Sequence, residues 1–429
     1  MHFFLMTLYR WIVAPLAILL TGLFYLFGHK KIRAGLNMRK TQNGKSPWSG
    51  ISKNERPIWL HCSSGEFEYA KSVLRQLKTS FPEIPIYVTY FSPTYRKAIE
   101  KTPEVDRSGP LPWDLPGPIS QFIKNHQPLC LLIARTDLWP EVLSQCKRFE
   151  VPTLLFSATL QKRPKFFDKL VKSWLFPLLT NIFCVAPEDQ ENIQSLWSHP
   201  KAMVSGDTRY DQALFRIQNS QPVKANLFEQ KSILIAGSTW KQDEIALIPG
   251  TEISLKNGEL HMIIAPHEPT EEHLHQLEQR IHADGLHSLR YSHAEQWRDE
   301  EILIIDRVGL LADLYPFAQI AFIGGSFKGS VHSVMEALVT GCPTFVGPCH
   351  SNNREAIEFQ KVNLGSSQFS AVTATHSGPE LREKIEQIVL EKNNWPQWRN
   401  QIRQEVEKKL GASEKVVQWV ETTLSLTPR

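Results

Sequence analysis

Short apolar runs alternate with segments of helical periodicity along most of the chain. In the first half the runs are candidate strands, and the helix-period segments between them include residues 69–77 and 138–148. The candidate strands of this half are 58–62, 84–90, 129–134, 152–157 and 182–185. A strand–helix rhythm of this kind predicts a mostly parallel sheet that is covered by helices on both faces.

A second series of the same kind follows a polar segment. Residues 211–231 carry no strand pattern, and the sequence from Trp395 onwards is typical of amphipathic helices. The candidate strands of the second series are 232–236, 261–265, 302–306, 320–323 and 344–346. We therefore predict an α/β protein with two doubly wound, Rossmann-like domains, 29–215 and 216–429, with the C-terminal helices packing back. Because such sheets bind ligands at the carboxyl ends of their strands, a cleft between the domains is expected.

The N-terminal sequence differs from the rest. The apolar run WIVAPLAILLTGLFYLFG (11–28) is near the lower limit for spanning a bilayer, and no small-residue cleavage site follows it. It is followed by a basic segment without an acidic residue, containing Lys30, Lys31, Arg33, Arg39, Lys40, Lys45 and Lys53. We expect residues 1–28 to form an uncleaved membrane anchor, with the remainder on the cytoplasmic side and in contact with anionic lipids. An amphipathic or buried first helix is the alternative.

Composition changes this picture little. The 429 residues are 42% hydrophobic and 21% charged, as in a globular protein, and a net charge of +4 gives no indication of nucleic-acid binding. The six cysteines are scattered without a C-x-x-C pair, which argues against a disulfide framework and a zinc site.

The stretch WLHCSSGEFEYAKSVLRQL (59–77) places a Ser-Ser-Gly-Glu turn at the end of the first strand. Ser63-x-x-Glu66 matches a capping box, in which the Glu66 carboxylate would bond back to the Ser63 N–H. Glu66 is also a candidate general base, because the turn is expected in the cleft. Cys62 lies within the apolar run and is expected to be packed.

The segment AQIAFIGGSFKGSVHSVMEALVTGCPTFVGP (318–348) is the most informative one. A strand runs into Gly324 and Gly325, where backbone N–H groups can approach an anion, and a helix is predicted over 331–340. On that helix His332 and Glu336 would share one face and hold a phosphate and a ribose. The alternative is a tight turn with an ordinary surface pair. The spacing is not G-x-G-x-x-G, so a dinucleotide oxidoreductase is weakly supported.

Two further strand ends carry polar side chains. Ser238 and Thr239 follow the first strand of the second series, where their hydroxyls could donate to a phosphate or cap a helix. His267 follows the next strand, but the spacing to His273 is not that of H-E-x-x-H, and no carboxylate or cysteine completes a metal site. No metal and no other cofactor are expected.

Taken in order, these residues resemble the Kdo transferases, which move 3-deoxy-D-manno-octulosonic acid (Kdo) from CMP-Kdo to a lipid A precursor. The resemblance covers nearly the whole chain. It is carried by SSGE (63–66), TDLWP (136–140), GDTRYD (206–211), AGSTW (236–240), APHEP (265–269), FIGGS (322–326), HSVMEA (332–337) and GPCHSNNREA (347–356). No single motif is decisive, but their order is specific.

The resemblance implies a GT-B glycosyltransferase fold, an inverting transfer and roles for matched positions. Glu66 corresponds to the catalytic base, and Asp137 and Arg209 lie on the acceptor side. The implied donor-binding residues are Ser238, Thr239, His267, Gly324, Gly325, His332, Glu336 and Asn352. Three positions depart from the family's pattern: His267 replaces an arginine, Ser333 an asparagine and Arg209 a lysine. His267 or Arg209 is left to stabilise the leaving phosphate.

The resemblance also implies partners and a location. CMP-Kdo, a lipid A precursor and an anionic membrane surface are the expected partners, nucleic acid is not, and the catalytic domains are expected on the cytoplasmic face of the inner membrane. Two alternatives remain open: a GT-B glycosyltransferase with another nucleotide sugar, and an inactive membrane-anchored nucleotide-binding protein.

Overall fold

The fold is described from a computed structural model. It describes residues 2–28, 30–39, 48, 55–160, 164–196, 201–220, 223–229, 231–365 and 368–426. The chain forms two compact units, one of Met1–Gln212 with Lys409–Arg429 and the other of Ala213–Lys408. The predicted division at residue 215 lies close to this one. The last helix, which the prediction assigned to the second domain, is part of the first unit.

The first unit contains a seven-stranded parallel sheet. Its strands are β1 (Ile58–His61), β2 (Ile86–Tyr90), β3 (Arg107–Pro110), β4 (Cys130–Ala134), β5 (Thr153–Ala158), β6 (Asn181–Cys184) and β7 (Ala202–Val204). The strand order is β3-β2-β1-β4-β5-β6-β7. The order reverses between β1 and β4, where Ile58 is in register with Cys130.

The second unit repeats this design. Its parallel strands are β8 (Ile233–Thr239), β9 (His261–Pro266), β10 (Ser288–Arg290), β11 (Ile302–Ile304), β12 (Ile320–Ile323), β13 (Thr344–Val346) and β14 (Val372–Ala374). The order is β10-β11-β9-β8-β12-β13-β14, with the reversal between β8 and β12. The predicted α/β class, with two doubly wound sheets, is confirmed. The expected cleft stays a prediction.

Helices connect the strands. In chain order they are α1 (His2–Leu8), α2 (Ala14–Leu26), α3 (Lys30–Asn37), α4 (Phe67–Ser80), α5 (Arg96–Glu100), α6 (Pro116–His126), α7 (Pro140–Arg148), α8 (Phe166–Leu175), α9 (Pro187–Leu196), α10 (Thr208–Gln218), α11 (Lys241–Lys256), α12 (Glu271–Ala283), α13 (Leu311–Leu314), α14 (Met335–Thr340), α15 (Arg354–Phe359), α16 (Gly378–Leu390), α17 (Trp395–Glu407) and α18 (Ala412–Leu426). A π-helical turn, Tyr9–Val13, joins α1 to α2.

Side chains of the first sheet alternate between two cores, as its helical cover on both faces requires. Trp59, Leu131 and Ile133 belong to the core on one face. Leu60 and Leu132 belong to the core on the other face, against α4 and α18. The sheet is therefore buried on both sides, and the carboxyl ends of its strands are where polar side chains can collect.

The N-terminal helix is apolar enough to cross a membrane by length and composition. The candidate segment is Phe4–Leu26, with a mean hydropathy of 1.7 and 11% of it buried within the protein. It begins earlier than the predicted run. Of the predicted basic segment, Lys40, Lys45 and Lys53 lie outside the described residues, as does the side chain of Lys31.

Candidate functional site

The polar residues singled out in the first unit lie where the strand order of its sheet reverses. The Ser-Ser-Gly-Glu turn follows β1, and Asp137 follows its neighbour β4. Because parallel strands end at one edge of a sheet, the reversal point leaves a crevice at that edge. The topology explains why residues more than seventy positions apart in the sequence meet here.

Asp137 binds the turn directly. Its carboxylate accepts a hydrogen bond from the Ser63 hydroxyl at 2.7 Å and another from the Ser63 backbone N–H. The His61 ring lies 3.2 Å away from the same carboxylate through Nε2. Burial acts to raise the pKa of Asp137, but the nearby His61 ring and the hydrogen bonds from Ser63 outweigh it and lower that pKa. Asp137 is held as a carboxylate and fixes the turn.

The capping box predicted for this turn is wrong. The Ser63 N–H is occupied by Asp137, and the Glu66 carboxylate instead accepts from the Ser64 N–H at 3.0 Å and the Ser64 hydroxyl at 3.2 Å. Glu66 itself stands at the start of α4, half-buried, and its side chain makes no capping bond. Its second carboxylate oxygen is thus not needed to hold the helix end, which leaves Glu66 available as a proton acceptor.

Two guanidinium groups lie near the helix that follows Glu66. Arg209 stacks over the ring of Tyr69, 4.4 Å from its centroid, and pairs with the buried Asp207 at 2.6 Å. Arg135, directly after β4, lies 5.5 Å from the same ring and has a φ of +66°. A non-glycine residue in that conformation is costly and is found mainly at functional sites. The carboxylate turn is therefore accompanied by positive charge, of which sequence reasoning identified only Arg209.

In the second unit the polar residues again lie where the strand order reverses, at the ends of β8 and β12. Gly324 has room only for hydrogen, because a Cβ there would lie 2.3 Å from the Ser238 carbonyl oxygen. Gly325 has a φ of +82° and packs against the His332 ring. Ser238, at a φ of +55°, is the third non-glycine strand-end residue of this kind, together with Arg135 and Ser157. Gly324 is required by the close approach of the two strand ends, and Gly325 by its positive φ and its contact with the Ser330 carbonyl oxygen.

The backbone N–H groups of the glycine turn do not point at an open anion site as the sequence predicted. The Asp243 carboxylate accepts from the N–H groups of Gly325 at 2.7 Å, Phe327 at 2.9 Å and Trp240 at 2.9 Å. Burial raises the pKa of Asp243 despite these three bonds, which act to lower it. Asp243 is an internal anion that shapes the turn, and sequence reasoning missed it.

The helix predicted over 331–340 begins only at Met335, so His332 and Glu336 do not share a helix face. The backbone groups before Met335 form hydrogen bonds with side chains of a later loop instead. The Asn352 amide accepts from the Val331 N–H at 3.1 Å and donates to the Val331 carbonyl at 3.0 Å, and Asn353 donates to the His332 carbonyl at 3.0 Å. These bonds compete with helix formation and explain the late start. Asn352, predicted to bind the donor, holds this loop.

His332 joins an aromatic stack at the ends of β8 and β9. Its ring lies parallel to that of His267, with centroids 4.3 Å apart, and His267 is 4.9 Å from the Trp240 ring. Trp240 Nε1 donates to His332 Nε2 at 3.2 Å, which requires the neutral ring that carries its proton on Nδ1. Burial, with the neighbouring His267 and Lys328, lowers the pKa of His332. The Lys328 ammonium lies 2.9 Å from the Trp240 ring centroid.

The remaining predicted donor residues have different surroundings. Thr239 is fully buried and donates to Glu244 at 3.0 Å, and Glu244 also lies 3.0 Å from His273. Glu336 accepts from the Ser333 hydroxyl at 2.9 Å and lies 4.0 Å from Arg216. The structure brings together His267, His332 and the glycine turn. Lys328 lies in the same turn and Trp240 contacts it; sequence reasoning singled out neither residue, although the segments GGSFKGS and GSTW contain them.

The two sheets and their strand-end sites define the class first: this is a two-unit α/β protein of GT-B type. A glycosyltransferase from Rickettsia africae aligns over 87% of this chain and all of its own, with a TM-score of 0.57 at 11% identity. The UDP-GlcNAc 2-epimerase from Neisseria meningitidis, solved with UDP-GlcNAc, aligns over 86% of this chain and all of its own, with a TM-score of 0.58 at 15% identity. At these identities the likeness establishes the fold alone.

Sequence comparisons show what the chain is similar to. Residues 34–212 match the family model described as 3-deoxy-D-manno-octulosonic-acid transferase (kdotransferase). The 3-deoxy-D-manno-octulosonic acid transferase of Haemophilus influenzae is 27% identical over 352 residues, covering 76% of this chain and 81% of its own length. The resemblance drawn from the motifs is confirmed: the chain is similar in sequence to Kdo transferases over about three quarters of its length.

Proposed function

We propose that this protein is an inverting glycosyltransferase that transfers Kdo from CMP-Kdo to a lipid A precursor of lipopolysaccharide synthesis. The observation that carries the proposal is the state of Glu66. It stands at the end of β1, half-buried, in the turn that Asp137 fixes, and its carboxylate does not close the helix end. Homology to the Kdo transferases supports the choice of donor and of reaction.

The proposed reaction is a single displacement. A hydroxyl oxygen of the acceptor sugar attacks the anomeric carbon of Kdo from the face opposite the leaving group, and the bond from that carbon to the CMP phosphate oxygen breaks. CMP leaves with the electron pair, and the hydroxyl proton passes to the Glu66 carboxylate. A well-placed general base typically accelerates such a step by about 10²–10⁴-fold.

The charge that develops on the CMP phosphate needs a cationic partner. In the second unit, the Lys328 ammonium lies over the Trp240 ring, next to the stacked His267 and His332, and the lowered pKa of His332 argues against a protonated ring there. We assign the phosphate to Lys328 and His267, with the nucleoside next to the Trp240 and histidine rings. No metal is required by this scheme, which stays a prediction.

The acceptor suggests a location. A lipid A precursor is a membrane-embedded phosphoglycolipid, and the apolar segment Phe4–Leu26 supports association with a membrane. We propose that the protein works on the cytoplasmic face of the inner membrane. Asp137 and Arg209, in the first unit with Glu66, are assigned to the acceptor side.

The base assignment is tested by Glu66→Gln. We expect this variant to fold and to bind CMP while transfer to a tetraacylated lipid A precursor falls by at least ~10²-fold, because the amide cannot accept the proton. Glu68→Gln is the matched control: Glu68 lies on the first turn of the same helix, is half-buried like Glu66 and pairs with Lys71 at 2.7 Å. Full activity of the Glu66→Gln protein would exclude the base.

Donor identity is tested separately by competition between CMP-Kdo and UDP-sugars, with the product mass read out. A product that carries a hexose rather than Kdo would favour another GT-B glycosyltransferase. Binding of CMP without turnover on any lipid A precursor would favour the inactive nucleotide-binding protein.

A further inference from the structure

The apolar N-terminal helix is fixed to the first unit by polar side chains near its beginning. The Tyr9 hydroxyl donates to Asp114 at 2.5 Å, and the Arg10 guanidinium makes two bonds of 2.8 Å to Glu141. Glu141 is fully buried, and Met6 is part of the core of this unit. An ion pair with a buried carboxylate is expensive to break, so this end of the helix stays with the protein.

The chain that follows returns to the same place. Gly28, with a φ of +84°, lies between α2 and α3. Beyond α3 the Arg39 guanidinium lies 4.7 Å from the Phe91 ring centroid and 5.4 Å from that of Trp113. Trp113 is the sequence neighbour of Asp114, which binds Tyr9. The segment from Tyr9 to Arg39 thus contacts the first unit at both of its ends, at the neighbouring residues Asp114 and Trp113.

The end of α2 also lies near the first unit. Gly22 and Tyr25 of α2 line one pocket together with Leu36, Arg39 and Trp113. Arg33 donates from Nε to the Tyr25 carbonyl at 3.0 Å, which ties α3 to the end of α2. The far end of the apolar helix is therefore beside the domain, on the side where the helix began.

These contacts are incompatible with a crossing. A helix that spans a bilayer places its ends on opposite sides of about 30 Å of hydrocarbon. The run between Arg10 and Gly28 is about 17 residues, or roughly 26 Å of helix, and α3 is too short and too basic to return through the membrane. Both flanks are held on the same domain instead.

The outer side of the helix is nevertheless strongly apolar. Trp11, Leu26 and Phe27 are each more than 70% exposed, and so are Phe166 and Phe167 on α8. Helix α8 adjoins the N-terminal helix, since Trp174 lies 6.1 Å from the Tyr9 ring. Lys165, Lys169 and Lys172 accompany the two phenylalanines, and Lys30 and Arg33 follow the helix. Aromatic groups interleaved with basic ones suit a lipid interface with anionic head groups.

We propose that Phe4–Phe27 does not cross the membrane but lies within one leaflet, on the side of the catalytic units, with Phe166 and Phe167 entering the same leaflet. The occupant of this apolar surface is the acyl-chain layer of an anionic bilayer. The protein is bound to one face of the membrane, and both flanks of its helix remain on that face. This inference is independent of the reaction that the protein catalyses.

The test is the side from which His2 is reached. His2→Cys is made together with Cys349→Ser, which removes the one native cysteine that is not buried among the six. The protein in bacterial membranes is treated with a membrane-impermeant maleimide, in intact spheroplasts and in inverted inner-membrane vesicles. Ser80→Cys, exposed at the end of α4, reports the side of the catalytic unit.

We expect His2→Cys and Ser80→Cys to be labelled in inverted vesicles and neither to be labelled in spheroplasts. Labelling of His2→Cys in spheroplasts alone would overturn the proposal, because it would place the two ends of the helix on opposite sides. Labelling that requires detergent would overturn it too, since the proposal places His2 at the surface on the near side. Retention of each variant in the membrane fraction shows that the protein is intact.

Discussion

Asp137, not Glu66, satisfies the Ser63 N–H, and this exchange of partners determines what Glu66 can do. A glutamate committed to a capping box would have to leave its bond before it could accept a proton. With Asp137 in that place, and His61 behind it, the turn keeps its shape while Glu66 holds only the neighbouring Ser64. Local sequence cannot reveal this, because Asp137 is distant in the chain and is brought in by the sheet.

In the second unit, too, side chains from distant segments bind backbone groups in a way that local sequence does not reveal. The G-G-S pattern suggested an empty anion site, but Asp243, from the helix after β8, fills it. Asn352 similarly delays the helix that the apolar periodicity predicted. In each case a side chain from a remote segment binds backbone groups, and the periodicity of the segment itself carries no trace of it. Residue types at strand ends were predictable, whereas their hydrogen-bond partners were not.

His332 gives a pH prediction. Its pKa is lowered, so the folded protein favours the neutral ring, which also accepts the Trp240 N–H. The stabilisation is complete above the unfolded value of about 6.5 and is lost as the pH falls through the lower, folded value. Between pH 7 and pH 5 we expect the thermal midpoint of the second unit to fall, and His332→Gln to flatten this dependence by about 2 °C or more.

The control for that experiment is His287→Gln. His287 is in the same unit, but its side chain is 69% exposed and pairs only with Glu301 at 3.4 Å. Its replacement should leave the pH dependence unchanged. If His332→Gln left the change of the thermal midpoint with pH unaltered, protonation of the stacked His332 ring would not affect the stability of the second unit.

At the scale of elements, the strands that the sequence predicted are the inner ones. Ten of them match apolar runs, whereas the strands it missed, β3, β7, β10 and β14, are the outermost of the two sheets. Inner parallel strands are buried on both faces and read as continuous apolar runs, but an edge strand is short and carries polar residues. Arg107–Pro110 and Ser288–Arg290 illustrate this.

Helix α18 shows how a terminal element supports a distant site. Val416 and Val420 are buried in the core that contains Leu74 of α4, the helix that begins after Glu66. The Asp211 carboxylate accepts the N–H groups of Gly411 and Ser413 at 2.7 Å each, which caps α18 from outside the helix. The amphipathic pattern predicted the helix but not the face against which it packs.

We expect Val420→Ala to lower the free energy of unfolding of the first unit by about 2 kcal/mol, because two buried methyl groups are lost and a cavity is left. Chemical denaturation followed by tryptophan fluorescence measures it. Glu421→Ala, at the exposed neighbouring position, should change stability by less than about 0.5 kcal/mol. Equal effects of the two substitutions would show that α18 does not contribute to the core of that unit.

At the scale of the molecule, each unit has its own parallel sheet and its own reversal point, with chemistry of a different kind at each. The first holds carboxylates beside guanidinium groups, and the second holds stacked rings, a lysine and a glycine turn. The periodicity of the chain predicted two such sheets in series. The C-terminal helices were expected to pack back, and Lys409–Arg429 is part of the first unit; the periodicity does not identify α4 as the helix against which α18 packs.

This division predicts how a nucleotide affects stability. If CMP binds at the stacked rings and Lys328, it binds residues of the second unit only, and only that unit is stabilised by mass action. A concentration of 100 times the dissociation constant corresponds to about 2.7 kcal/mol. Differential scanning calorimetry should therefore show one transition that moves up by several degrees with CMP and one that does not.

UMP, which differs in its base, serves as the comparison nucleotide, and Lys328→Ala should reduce the shift. The first-unit transition is the one that responds to Val420→Ala. If CMP raised that transition alone, the nucleotide would bind to the first unit, and there would be no basis for assigning its phosphate to Lys328.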